Sequence, residues 1–227
     1  MGSIVEFPSN GSSGTGYFAP AEGGGPGVVV VQEWWGIVAH IRDVVDRFAA
    51  AGFSAIAPDL FGGETTREPD EAAKLMMALN VDRAVAEMSG AVDFLLADQH
   101  VSSKTVGITG YCMGGGLALV AACRLPEKIS ACAPFYGLIP WESAEPDWST
   151  LRARVSGHYA ERDEWFGPEA VAALSEKLEA AGKDATFTIH PGTDHAFFND
   201  TRPEVYDARE AAKAWEDTLT FLRDTIV

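Results

Sequence analysis

Cys112 lies in the run Gly110-Tyr111-Cys112-Met113-Gly114, between an apolar segment of strand length and a second one of helical composition. Glycines two residues before and two after a reactive side chain are what a sharp strand-to-helix turn needs, because a Cβ at either place would meet the opposite limb. A sulfur on such a turn sits at a helix N-terminus, where the dipole favours thiolate and is expected to lower the thiol pKa. The N–H of the next residue, Met113, then points at a reacting carbonyl as an oxyanion donor. The competing reading is a buried cysteine beside a glycine-rich packing turn.

Attack by a thiol on a carbonyl calls for a base and a group that orients it, delivered in the chain order nucleophile, acid, base. Asp163 falls just after a strand, in Tyr159-Ala160-Glu161-Arg162-Asp163, and His195 just after the last strand, in Gly192-Thr193-Asp194-His195-Ala196-Phe197. Both are loop positions at carboxyl ends of strands, from which side chains converge on the elbow. Glu161, Glu164 and Asp194 remain open as the orienting acid. His40, His100, His158 and His190 fall at a helix start, in a polar turn and at or within strand ends, where a packed or solvated histidine is commoner than a base. Glu33, in Gln32-Glu33-Trp34-Trp35-Gly36, is either a charge partner for the thiol or a solvated loop acid.

These residues meet only if strands and helices alternate around them. Val28 to Val31 is the first strand, four β-branched residues in a row, as expected where both faces are covered. Ala39 to Ala51 puts Ile41, Val44, Val45 and Phe48 at helical spacing, with Gly52 as its stop. Phe53 to Ala57 is a second buried strand closed by Pro58. Asp59 to Pro69 reads as a loop, and helices follow over about Asp70 to Leu79 and Val81 to Asp98. Lys104 to Thr109 is a strand, Leu117 to Cys123 a helix and Ile129 to Phe135 a strand. Tyr136 to Thr150 is a loop carrying Trp141 and Trp148. Val155 marks another strand, Gly167-Pro168 opens a helix, and Thr186 to His190 is the last strand. A final helix from about Pro203 places Ala208, Ala211, Ala212, Trp215, Leu219 and Leu222 on one stripe. Residues 1–26 predict an N-terminal β-hairpin or edge extension. The alternation predicts a single α/β domain over 1–227, with a mostly parallel sheet and helices on both faces.

Bulk composition narrows the partners. The 227 residues include 33 acidic and 17 basic side chains, a formal net charge of -16, which repels nucleic acid and anionic lipid. Solubility, in a salt-rich cytoplasm for example, is the plainer reading of that acidity than an acidic docking face. Neither a signal peptide nor a membrane span is visible, so the expected location is cytoplasmic. The three cysteines suit neither a disulfide framework nor a zinc site, and Cys123 and Cys132 read as core filler. The run Gly114-Gly115-Gly116 lacks phosphate-binding spacing, and no cofactor or metal is expected. Of the aromatics Trp34, Trp35, Tyr136, Trp141, Trp165, Phe197 and Phe198, each is a candidate for a pocket wall or for the core.

With these residues in view, the chain resembles the dienelactone hydrolase (carboxymethylenebutenolidase) family of the α/β-hydrolase superfamily. The likeness runs from about Gly27 to the C-terminus. It includes Val28-Val29-Val30-Val31-Gln32-Glu33-Trp34-Trp35-Gly36, Ala57-Pro58-Asp59-Leu60-Phe61, Gly110-Tyr111-Cys112-Met113-Gly114-Gly115-Gly116 and Gly192-Thr193-Asp194-His195-Ala196-Phe197. The resemblance implies the α/β-hydrolase fold and a Cys112-Asp163-His195 triad. It also implies that Glu33 contacts the resting thiol and helps form the thiolate, and that Trp34 donates the second oxyanion N–H beside Met113. The reaction it implies is hydrolytic opening of an enol-lactone through a thioester acyl-enzyme. The chain departs from the family where well-characterised members bind the substrate carboxylate with an arginine, a tyrosine and a second arginine. Those positions read Pro69, Ala73 and Asn199 here. Arg67 and Arg202 lie nearby and either replace them or are solvated loop arginines.

The expected function is thus cysteine-dependent hydrolysis of a small lactone or activated ester by a monomer or weak homodimer. Trp35, Tyr136 and Phe197, with Arg67 and Arg202, are the candidate substrate contacts. Two alternatives stand beside it: an esterase or thioesterase for an unrelated small substrate, and a non-catalytic relative that binds a ligand on the same fold.

Overall fold

The computed structural model describes residues 1–139 and 144–226; Trp141, read from sequence as part of a loop, lies outside them. In chain order the strands are β1 (Ser3–Ser9), β2 (Ser12–Ala19), β3 (Gly25–Val31), β4 (Ser54–Pro58), β5 (Val101–Tyr111), β6 (Ile129–Phe135), β7 (Arg154–Ala160) and β8 (Ala185–His190). The helices are α1 (Ala39–Ala50), α2 (Pro69–Ala78), α3 (Val81–Ala97), α4 (Met113–Arg124), α5 (Pro168–Ala180) and α6 (Ala208–Thr225). The sheet runs β1-β2-β4-β3-β5-β6-β7-β8. From β4 to β8 neighbouring strands are parallel, while β1 and β2 form an antiparallel hairpin that adds to the edge at β4. The hairpin turns at Asn10-Gly11, both with positive φ (48° and 72°), the conformation that suits tight antiparallel connections.

The four valines of β3 show why the run is unbroken by polar residues. Val29 and Val31 face a cluster built with Met88, Val92 and Leu95 of α3, while Val28 and Val30 face one built with Val44 and Phe48 of α1 and Leu222 of α6. All four are fully buried. Helices therefore cover both faces, and the carboxyl ends of β3, β5, β7 and β8 open along one rim, where ligands bind in sheets of this kind.

Two helix boundaries differ from the sequence reading by more than one residue. Helix α4 begins at Met113 rather than Leu117, so Gly114, Gly115 and Gly116 form its first turn. Intrinsic propensity argues against glycine there, but tertiary contact requires it. A Cβ on Gly114 would lie 2.5 Å from the Val31 and Gln32 carbonyl oxygens, and one on Gly116 2.2 Å from that of Leu138. Helix α6 begins at Ala208 rather than near Pro203, because the Asp207 carboxylate accepts from the N–H groups of Arg209 and Glu210 and caps it there. Its buried face uses Ala214 and Thr218, and Ala212 points to solvent.

Candidate active site

Between β5 and α4 the chain turns within one residue. Cys112 has φ 55° and ψ −122°, a conformation non-glycine residues rarely hold and one that concentrates at functional sites. Glycines make the turn possible: a Cβ on Gly110 would lie 2.0 Å from the Gly114 carbonyl oxygen, and one on Gly137 1.9 Å from that of Cys112. Backbone bonds from Cys112 N–H to Phe135 O (3.1 Å) and from Gly115 N–H to Cys112 O (2.9 Å) hold it. Cys112 is partly exposed, whereas Cys123 and Cys132 are buried. Met113 follows as the first helical residue, whose N–H has no partner within the helix.

The turns after β7 and β8 bring the acid and imidazole together. His195 Nδ1 donates to Asp163 Oδ2 at 2.7 Å, and Oδ1 accepts from the N–H groups of Trp165 (2.9 Å) and Phe166 (3.0 Å). Burial pushes the Asp163 carboxyl up, but these hydrogen bonds outweigh it and hold the group below the usual carboxylate range. Asp163 is thus an anion that fixes the tautomer, leaving His195 Nε2 as the basic nitrogen. Of the other acids left open, Glu161 accepts from Gly192 N–H (2.7 Å), Asp194 pairs with Arg162 (2.9 Å) and Glu164 is exposed. The imidazole packs edge-to-face with the rings of Tyr136 (5.2 Å) and Trp165 (5.1 Å). Trp165 is 66% exposed, and sequence reasoning left it undecided between pocket and core. Its place two residues after the acid, in a loop that must fold back on its own carboxylate, is the signal that finds it.

Glu33, at the end of β3, is 1% exposed and accepts from Asn199 Nδ2 at 3.0 Å. It is no solvated loop acid. Burial, opposed by the Arg202 charge and the Asn199 hydrogen bond, raises its pKa to about 7. The thiol departs from the sequence expectation. Although the residue reaches the surface, desolvation around its sulfur and then the Glu33 charge push Cys112 up to about 12, and the Met113 N–H offsets only part of this. A helix N-terminus acts through one or two peptide dipoles; here desolvation and a nearby carboxylate are larger. The resting group is a neutral thiol. Iodoacetamide should therefore alkylate Cys112 at neutral pH more slowly than free cysteine, and faster in Glu33→Gln, which the rate of labelled-peptide formation measures.

A cleft of about 400 Å³ has a lining that includes Trp35, His40, Thr66, Arg67, Asn199 and Arg202. Cys112 is not in its wall; Asn199, bonded to Glu33, links the two. Trp35, Arg67 and Arg202 are thus placed on one surface, with Arg202 also bonded to Glu204 at 2.9 Å. Trp34 is half-buried and packs edge-on against Trp35 (4.9 Å). Tyr136 and Phe197 do not line the cleft. Both are fully buried in the core, 5.6 Å apart, and Phe197 packs on the His190 ring. Their apolar area is held by the core, which sequence position alone does not reveal.

A parallel sheet with helices on both faces, a strained turn after β5, and an acid and a histidine on the loops after β7 and β8 define an α/β-hydrolase. The model of the dienelactone hydrolase family matches residues 15–226. The chain is 37% identical to the protein named usf of Aquifex pyrophilus, over 99% of each chain. It is 34% identical, over 98% of each, to an Aquifex aeolicus protein provisionally named carboxymethylenebutenolidase. A crystal structure from Klebsiella pneumoniae, provisionally named dienelactone hydrolase, superposes with a TM-score of 0.88 at 27% identity, covering 98% of both chains. The chain belongs to the dienelactone hydrolase family, whose members are hydrolases acting on ester bonds.

Proposed function

We propose that this protein hydrolyses a small lactone or activated ester through a thioester on Cys112. The observation that carries the reading is the Asp163–His195 hydrogen bond of 2.7 Å on the same rim as the strained Cys112 turn. Glu33, raised to about 7, is a base able to take the thiol proton once substrate excludes water. The sulfur then bonds to the carbonyl carbon. The oxyanion is held by the N–H groups of Met113 and Trp34, and the C–O bond breaks as the enolate or alkoxide leaves and takes up the proton held on Glu33. His195 Nε2 next takes a proton from water, hydroxide adds to the thioester, and the C–S bond breaks to free the acid as the His195 imidazolium returns its proton to the Cys112 sulfur. A thiolate leaves a tetrahedral intermediate more readily than a poor alkoxide or an amine, so activated esters and lactones acylate while peptides revert.

Arg67 and Arg202 on the cleft wall support recognition of a substrate anion, taking the place of the side chains lost at Pro69, Ala73 and Asn199. A panel of lactones and aryl esters, with and without a carboxylate, tests this. Carboxylate-bearing members are expected to have the lower KM, and Arg202→Ala to raise it about tenfold, the size of one charge-assisted contact. Equal KM values across the panel in both proteins would remove the arginines from the account.

A further inference from the structure

Beneath the rim lies a line of buried polar groups that the hydrolytic steps do not use. Thr218 Oγ1 is 3.2 Å from His158 Nε2, His158 Nδ1 is 3.1 Å from His190 Nε2, and His190 Nδ1 is 2.8 Å from Glu210 Oε2. His158 and His190 are 1% and 0% exposed and Glu210 5%. A single proton arrangement satisfies every member: the Thr218 hydroxyl donates to His158, His158 Nδ1–H to His190, and His190 Nδ1–H to the Glu210 carboxylate. Burial, and then the neighbouring His190, push His158 down to about 3, which keeps it neutral as this arrangement requires. Arg209 Nη2 meets the other Glu210 oxygen at 2.9 Å. The line thus ties two places on α6, two turns apart, to the ends of β7 and β8.

Those strand ends are where the site is built. The His190 carbonyl accepts from Glu161 N–H (3.2 Å) and Thr193 Oγ1 (2.8 Å), lacing the acid loop to the histidine loop. The His190 ring packs 4.7 Å from Phe197, which packs on Tyr136, whose ring meets His195. The His158 carbonyl accepts from Tyr136 N–H at 2.7 Å, and the His158 ring lies 4.9 Å from Phe135, whose carbonyl holds the Cys112 N–H. Tyr136 itself has φ 35°, so something must hold it there. We propose that Glu210, His190 and His158 are positioning residues for hydrolysis, a relay that fixes the His195 loop and Tyr136 relative to Cys112 from the face of the sheet that α6 covers.

The inference rests on the thioester reading above, and its test separates the two. In Glu210→Ala, kcat for p-nitrophenyl acetate should fall about tenfold through misplacement of the base, with KM changed less than about twofold. The low-field proton resonance of the His195–Asp163 hydrogen bond should broaden or shift. Glu210→Gln, whose carbonyl accepts the same bond from His190, should recover most of the loss. If Glu210→Ala does not fold, Thr218→Val removes only the far donor and should lower kcat about threefold or more. Wild-type kcat and resonance in whichever of these two variants folds would overturn the relay, as would a Glu210→Gln no faster than Glu210→Ala. Failure to trap a thioester on wild-type Cys112 would instead sink the reading of the site; a trapped thioester with an indifferent relay would sink only the relay.

Discussion

Cys112→Ala should lose hydrolysis of p-nitrophenyl acetate by about 10³-fold or more, the usual scale for removing an attacking group. The substitution is mild for the fold. Alanine carries the same Cβ at φ 55°, and the glycines that allow the turn are untouched. It also removes a thiol that burial and Glu33 hold near 12 and replaces it with an apolar methyl. The melting temperature should therefore hold while the rate collapses, a pattern that separates lost chemistry from lost structure. Any residual rate should come from His195 acting directly on water beside the oxyanion donors. Stopped assays on purified variant, with circular dichroism as the folding control, measure both.

Glu33→Gln should make the protein more stable and less active, and the stability gain should depend on pH. The carboxyl has its ordinary value of 4.5 in the unfolded chain and about 7 in the folded one. The folded state therefore binds the proton more tightly, and the stability it contributes is full below 4.5 and lost as pH rises through 7. Above that pH the wild type holds a buried carboxylate that glutamine spares, a difference of about 3 kcal/mol. That corresponds to a melting temperature higher by roughly 6–12 °C in a chain of this size. Below 4.5 the two proteins should melt alike. Asn199, which donates to Glu33 at 3.0 Å, can donate to the glutamine carbonyl, so the hydrogen bond survives. Loss of the group that takes the thiol proton should lower kcat at the same time, the exchange of stability for function expected of such sites. Thermal melts from pH 4 to 8.5 on both proteins check the sign directly.

The legible part of this protein was what local pattern carries. Apolar runs placed β3, β4 and β6, and glycine spacing placed the turn at Cys112. Loops after strands placed Asp163 and His195, which meet at 2.7 Å. What sequence could not carry depends on distant contact. Three glycines that the sequence reading left outside the helix begun at Leu117 are its first turn, because carbonyls of the chain at the ends of β3 and β6 press against them. The thiol was expected to ionise because the helix dipole is local and visible; the burial and the carboxylate that reverse this come from other segments. Asn199, noticed only as a missing arginine, proved to be the hydrogen-bond partner of Glu33. Phe197 and Tyr136, read from sequence as candidate substrate contacts, are fully buried, and sequence position does not say which way a ring faces.

The central claim is that one sulfur carries the acyl group between two half-reactions. Acid quenching of wild-type protein during turnover of p-nitrophenyl acetate, followed by peptide mass spectrometry, tests it most directly. The account predicts an acetyl group on the Cys112 peptide alone, labile to hydroxylamine and accumulating when His195 is replaced by Asn, since His195 is the group that activates water for its release. Full turnover with no acyl group on Cys112, or with the acyl group on another residue, would contradict it.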